Sequence, residues 1–222
     1  MESHILKIIS IDKVTHDVVR IELPKPDNYN FVPGQATEIA INKEKWKEEK
    51  RPFTFTCLPT DNYLEFTIKT YPSRHGVTNE LLSLVPGDEL ILHDVWGAIS
   101  YKGEGLFIAG GAGITPFLSI FRHLNSTNQV GDNKLIFANK TKADIIHEDE
   151  FKRILGDRFV NILSDEAVEG YAQGFITEDF IKENLPAAGG KFYLCGPPPM
   201  MDAVQKIFSN LGVGEDSVVV EI

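Results

Sequence analysis

Through its N-terminal half the chain alternates apolar and polar positions in short runs, HILKIISI, DVVRIEL, ATEIAI, PFTFTC and LEFTIKTY, separated by proline, glycine and asparagine turns. Successive side chains of a strand point to opposite faces, so this two-residue period predicts half-buried strands. Many short strands at this spacing indicate a closed antiparallel barrel. One helix interrupts them: VTNELLSLV (77–85) places Val77, Leu81, Leu84 and Val85 on one stripe, and Pro86-Gly87 ends it. Beyond Tyr101-Lys102-Gly103 the pattern changes. Continuous apolar runs LFIA, KLIFA, FVNIL and KFYLC alternate with helical stretches near 114–125, 148–155, 177–184 and 198–210, and SVVVEI follows as a last run. That alternation predicts βαβ units around a parallel sheet. The expected organisation is a β-barrel domain over 1–101 and an α/β domain over 102–222.

The length of 222 residues allows two domains that each bury a core. No apolar run reaches the length of a membrane span, and MESHILKIIS lacks the basic start and long apolar stretch of a secretion signal. The expected compartment is therefore the cytoplasm. A net charge of −10 argues against general nucleic-acid binding, which needs a basic face to neutralise phosphates. Cys57 and Cys195 are the only cysteines, too few for a disulfide scaffold or a four-cysteine zinc or iron–sulfur site. No metal site is expected.

Four segments carry candidate chemistry. In AGGAGITPF (109–117) a glycine-rich turn joins a strand to a helix. Gly110, Gly111 and Gly113 let backbone approach an anion, and the helix start offers N–H groups and partial positive charge. Pro116 stands where the dinucleotide fingerprint has its last glycine, so the turn also reads as a plain connection. RPFTF (51–55) sets Arg51 and Phe53 on one strand face and Thr54 on the other; a flat aromatic ligand would use all three, as would a half-buried edge strand. In IKTYPSRHGVTNELL (68–82), Gly76 and Val77 open a helix with the Thr78 hydroxyl close by, a second anion-ready start or simply a capped helix. YLCGPPPMMDAV (193–204) puts Cys195 at the carboxyl end of a parallel strand, on the crevice side where ligands of open sheets bind, although buried cysteine also serves as a small core residue.

In this order, RPFT, HGVTNEL, GAGITP and CGPPPM resemble the Arg-x-aromatic-Ser/Thr, Gly-x-x-Ser/Thr-x-x-Leu, Gly-x-Gly-x-x-Pro and Cys-Gly-Pro motifs of the ferredoxin-NADP reductase superfamily, across essentially the whole chain. The resemblance implies a six-stranded antiparallel flavin-binding β-barrel followed by a Rossmann-like α/β parallel sheet for a pyridine nucleotide. It implies that Arg51 pairs with a flavin phosphate, that Phe53 lies against the isoalloxazine with Pro52 and Ile68 nearby, and that Thr54 hydrogen-bonds near flavin N5. Lys69 and Tyr71 match positions lining the ribityl and phosphate path, while His75, Gly76, Val77 and Thr78 cradle phosphates. The helix start with Gly76 and Thr78, which is similar to the family's Gly-x-x-Ser/Thr pattern with one residue fewer between glycine and hydroxyl, favours FAD over FMN. On the second domain, Gly111, Gly113, Thr115 and Pro116 would hold the dinucleotide pyrophosphate, with Asn139, Asp165, Gly196 and Pro197 completing the site and Cys195 beside the nicotinamide. Thr54, Cys195 and Glu221 form the implied catalytic set.

The hydride donor is expected to be NADH or NADPH, with NADH favoured. Asp165 stands where NADPH-specific members carry arginine, and a carboxylate repels a 2′-phosphate. YAQGFI (171–176) looks most like the NADH-dependent cytochrome reductases, whereas Lys140 and Lys142 could reach a phosphate. Many members follow the terminal acid with an aromatic lid over the flavin; here Glu221 is followed by Ile222, so a less covered flavin is expected. Two cysteines leave no place for a fused ferredoxin module, which implies a separate acceptor: ferredoxin, flavodoxin or an oxygenase component. KEKWKEEKR (43–51), with five basic and three acidic residues, is a candidate dock for an acidic carrier. Two other functions fit the same motifs, a flavin reductase that releases reduced flavin and a non-catalytic electron-transfer subunit.

Overall fold

A computed structural model describes residues 3–186 and 190–220. The N-terminal part holds β1 (His4–Lys7), β2 (Ser10–Thr15), β3 (Val18–Pro24), β4 (Ala36–Ile41), β5 (Arg51–Thr54), β6 (Tyr63–Lys69) and β7 (Glu89–Trp96) in two antiparallel sheets, ordered β1-β7-β4-β5 and β2-β3-β6. HILKIISI, which reads as one strand, is divided at Ile8-Ile9. The Ile8 amide donates to Asp88 O and the Ile9 amide to Glu22 O, so one peptide step hands the chain from the first sheet to the second. On the opposite side the sheets meet at a single bridge between Phe55 and Phe66. With β1 and β2 taken as one bent strand, six strands close a ring.

Inside this ring the cross-strand partners Val19 and Ile68, Ile21 and Phe66, and Leu23 and Leu64 are all buried. The alternate positions Glu65 and Thr67 face outward yet are also buried, because the second domain covers that face. The helix expected over 77–85 is shorter. It is one α-turn, α1 (Val77–Glu80), followed by a 3-10 turn over Leu81–Ser83. Val77, Leu81 and Leu84 are buried as expected, but Val85 is 59% exposed. Leu84 is already extended, and Pro86 excludes the helical region for the residue before it, so the stripe ends before Val85.

The C-terminal part is a parallel sheet with helices on both faces. Its strands are β8 (Gly105–Gly110), β9 (Lys134–Asn139), β10 (Phe159–Leu163), β11 (Ala172–Gln173), β12 (Lys191–Cys195) and β13 (Val218–Val220), ordered β11-β10-β9-β8-β12-β13. The helices are α2 (Thr115–Ser126), α3 (Glu148–Leu155), α4 (Glu178–Glu183) and α5 (Pro198–Asn210), close to the stretches read from the sequence. Phe107, Phe137 and Tyr193 pack with Phe117 and Phe121 of α2 on one face, and Leu106, Ile108 and Ile136 pack with Ile181, Val204 and Phe208 on the other. Burial on both faces explains why these strands are continuous apolar runs. The chain steps outward from β8 through β9 to β10 and then returns to the far side of β8 as β12. The reversal point lies between the carboxyl ends of β8 and β12, where open α/β sheets bind ligands.

Tyr193 ties the connection between the two parts to the centre of this sheet. Its ring stacks on Phe107 at 3.9 Å between centroids, and its hydroxyl donates to Gly103 O at 2.6 Å while accepting from Lys102 N at 2.8 Å. Burial pushes the hydroxyl up to about 12, so it stays protonated at ordinary pH. Tyr193→Phe strands both backbone groups and is expected to cost about 1–3 kcal/mol of stability, measured by urea unfolding.

Candidate nucleotide and flavin site

At the end of β8 the chain makes a 3-10 turn over Gly111–Ile114 and enters α2 at Thr115. Gly111 has φ +51°, a left-handed conformation that glycine adopts without strain. At Gly113 the constraint is contact: a Cβ there would sit 2.2 Å from Cys195 O and 2.7 Å from Gly196 N. The turns after β8 and β12 therefore touch backbone to backbone. The Thr115 hydroxyl donates to Ala112 O at 3.1 Å and tightens the turn, and Pro116 occupies the first helical turn, where no N–H is needed. The first turn of α2 carries no acidic residue, so nothing offsets the positive end of its dipole. Cys195 closes β12 as a buried side chain, and exposed Pro197 caps α5.

The neighbouring strand ends add polar groups to this edge. Asn139, the last residue of β9, is only 9% exposed, and its Nδ2 has no hydrogen-bond partner among the described residues. A buried donor left unpaired costs about 1–3 kcal/mol, so this amide is suited to an acceptor that the protein does not itself supply. Asp165 follows β10 and is exposed; its amide donates to Lys140 O at 2.9 Å and its carboxylate accepts from Ser164 Oγ at 2.6 Å. Lys142 places its ammonium over the Tyr171 ring, 5.5 Å from the centroid.

On the barrel, burial along β5 rises steadily toward its end instead of alternating. Arg51 and Pro52 are exposed, Phe53 is half-buried against the barrel core, and Thr54 is buried. Arg51 is held by Glu49 at 3.1 Å and donates to Lys50 O at 2.6 Å. Ile68 points into the barrel core, so a ligand can meet only its backbone. The Lys69 ammonium pairs with Asp17 at 2.6 Å and lies 3.9 Å from Asp144. Tyr71 is exposed with Arg74 over its ring at 4.8 Å. His75 is exposed at φ +48°, and Gly76 caps α1 in an extended conformation ahead of buried Val77 and half-buried Thr78. A four-residue helix has little macrodipole, so this start offers an anion N–H groups rather than the field expected of a longer helix. Glu221 lies outside the described residues.

Two contacts bring the barrel group and the crevice group to one seam. Lys69, at the end of β6, approaches Asp144, five residues beyond Asn139. Arg122 of α2 donates to Thr56 O at 2.7 Å, two residues beyond Thr54. Arg122, Glu65 and Asp17 carry no motif; only polar side chains at otherwise apolar or alternating positions mark them in the sequence. His16, Asp17 and Asp144 place ligand atoms close enough for a metal, but the Lys69 ammonium already supplies positive charge to both carboxylates. In the segment 43–51, Lys47 pairs with Glu44 and Arg51 with Glu49 inside the segment, and Lys43 with Glu80 outside it, which offsets one of its two excess positive charges.

Comparison with known proteins matches both parts of the chain. Residues 3–93 match the family described as "FAD-binding domain", and residues 107–206 the family described as "Oxidoreductase NAD-binding domain". The chain is 31% identical to the reductase component of propane 2-monooxygenase from Mycolicibacterium goodii, over 96% of this chain and 65% of that protein. It is 34% identical to NADH-cytochrome b5 reductase 1 of Emericella nidulans, over 90% of this chain and 71% of that protein. The fold superimposes on the FAD/NAD-binding domain of nitric oxide dioxygenase from Vibrio cholerae with a TM-score of 0.88 at 21% identity, covering 100% of this chain and 98% of that one. Barrel, crevice and matches together define a two-domain class that binds a flavin and a pyridine dinucleotide. The chain belongs to the ferredoxin reductase and cytochrome b5 reductase family of FAD- and NAD-binding oxidoreductases. It spans 65% of the length of the propane 2-monooxygenase reductase that it matches. Among the described residues, no helix is long and apolar enough to cross a membrane.

Gly113→Ala forces the turns after β8 and β12 apart. NADH affinity, read by titration of the flavin-loaded protein, is expected to fall at least about tenfold, or 1.4 kcal/mol, with flavin content retained.

Proposed function

We propose that this chain is an NADH-preferring flavoprotein reductase that takes hydride from NADH onto FAD in the barrel and passes single electrons to a separate protein. The observation that carries the reading is the crevice at the reversal point of the sheet, where the backbones meet at Gly113 and a buried Asn139 amide finds no partner among the described residues. Bound flavin supplies the hydride acceptor and the conversion from paired to single electrons.

The protein's own groups bind and orient. Arg51 exchanges its exposed pairing with Glu49 for a flavin phosphate, which a guanidinium holds through two parallel bonds. Phe53 offers a half-buried ring face and Thr54 a buried hydroxyl beside it. The turn over Gly111–Ile114 and the start of α2 hold the dinucleotide pyrophosphate, Asn139 donates to the nucleotide, and the Cys195 side keeps the crevice floor free of water. Asp165 accepts from a ribose hydroxyl and repels a 2′-phosphate, which sets the preference for NADH. The domain boundary is placed near residue 102.

The acceptor is a one-electron protein carrier or an oxygenase component. Support comes from the relatives, one named as the reductase component of a monooxygenase and one as a cytochrome b5 reductase. The segment 43–51 is its proposed dock. Lys45→Glu with Lys47→Glu is expected to slow reduction of an acidic carrier while NADH still bleaches the flavin at the wild-type rate; equal carrier rates remove the dock.

The visible spectrum of the purified protein, followed anaerobically during addition of NADH or NADPH, tests the main reading. Flavin absorption is expected, bleached by NADH at least about tenfold more efficiently than by NADPH, a difference worth 1.4 kcal/mol. Asp165→Arg narrows or reverses that ratio. A chain that retains flavin but is bleached by neither nucleotide is not a reductase.

A further inference from the structure

The helix that begins at the dinucleotide crevice is bonded directly to the barrel segment that carries Thr54. Arg122 lies seven residues beyond Thr115 on α2, about 10 Å along the helix. Its Nη1 donates both to Thr56 O at 2.7 Å and to Glu65 Oε1 at 2.6 Å. Its Nε and Nη2 fork onto the two oxygens of Glu150 on α3, at 2.7 and 2.9 Å. Three residues earlier on the same helix, the Ser119 hydroxyl donates to Cys57 O at 3.3 Å. The Glu65 side chain is 4% exposed and also accepts from the Thr56 hydroxyl at 2.7 Å. One guanidinium thus joins both domains and two helices.

The charges leave this cluster little freedom. Burial opposes ionisation of Arg122, yet its bonds to Glu150 and the fields of Glu65 and Glu150 outweigh that cost and hold it charged more firmly than an ordinary arginine. Two carboxylates share the guanidinium, with Arg20 at 3.9 Å from Glu65 and His147 at 3.6 Å from Glu150 completing the surround. Moving α2 relative to β6 would take from the buried Glu65 carboxylate its nearest cation and leave it only the more distant Arg20. A hydrophobic seam tolerates sliding; a planar fork with fixed directions does not.

We infer that Arg122 is a positioning residue for hydride transfer: by locking α2 to the segment 54–57, it sets how closely the nicotinamide end of the crevice approaches the flavin face of the barrel. This inference rests on the reductase reading. It assigns a kinetic role to a group that touches neither cofactor site.

The test uses the full flavin-loaded chain with Glu65→Gln, which preserves side-chain shape, and Arg122→Lys, which preserves charge. Single-turnover bleaching at saturating NADH is expected to slow about 100-fold in both, the size associated with a misplacement of roughly 1 Å. The half-saturating NADH concentration and the flavin content should change less than about threefold, because both binding sites remain intact. Amide exchange of segment 54–57 in the flavin-free protein should accelerate. Ile181→Val serves as the control, since this buried residue of α4 packs with Leu106, Ile136 and Phe208 on the sheet face away from α2, and the variant is expected to bleach at the wild-type rate. Unchanged bleaching in either seam variant overturns the inference. So does a slowing shared by Ile181→Val, or loss of flavin from both seam variants, since each makes Arg122 merely structural. Wild-type protein that NADH does not bleach overturns the reductase reading and this inference with it, whereas normal bleaching in wild type and variants alike removes the inference alone.

Discussion

The contact between the turns after β8 and β12 is the constraint on which the rest of the crevice depends. Because Gly113 lacks a side chain, the Cys195 carbonyl can approach to a distance that no Cβ would allow. That approach brings the start of α2 over the reversal point of the sheet and leaves its unopposed N-terminus at the strand ends. Asn139 and Asp165 then fall along the same edge because β9 and β10 follow β8 in register. One hydrogen in place of a methyl group thus decides whether the strand ends form a continuous floor.

The barrel answers this arrangement from the other side. Its outer face on β6 should be solvated by the rule of alternation, and Glu65 and Thr67 obey the rule in chemistry while breaking it in burial. The second domain covers them, and the polar groups are satisfied across the seam by Arg122 and within the sheet by Thr56. Lys69 with Asp17 and Asp144 forms a second polar crossing nearby. The seam is therefore polar and directional where Arg122 and Lys69 cross it, beside apolar packing of Val18 and Ile99 against the core of the second domain.

Much of this was legible in the residues. Two-residue alternation located the barrel strands, and continuous apolar runs located the buried strands of the parallel sheet. The four glycine- and proline-marked segments fall on β5, α1, the turn into α2 and the end of β12. What escaped depends on contacts distant in sequence. HILKIISI alternates without interruption, and only the different partners of Ile8 and Ile9 divide it. The brief β11 has no pattern of its own and exists because β10 lies beside it. Val85 completed a helical stripe on paper, but the chain had already unwound at Leu84. Arg122 resembled an ordinary polar position on an amphipathic helix, and nothing within its own segment announces the two carboxylates that meet there.

The single Phe55–Phe66 bridge gives the barrel an uneven hoop. Everywhere else the staves are laced by ladders, as along the full length of β3 and β6. That one joint is fastened from outside the ladder as well, by Arg122 on Thr56 O and Ser119 on Cys57 O, and Phe53 and Thr54 stand immediately before it. The hoop is thus clasped by the neighbouring domain at the place where its own lacing is thinnest.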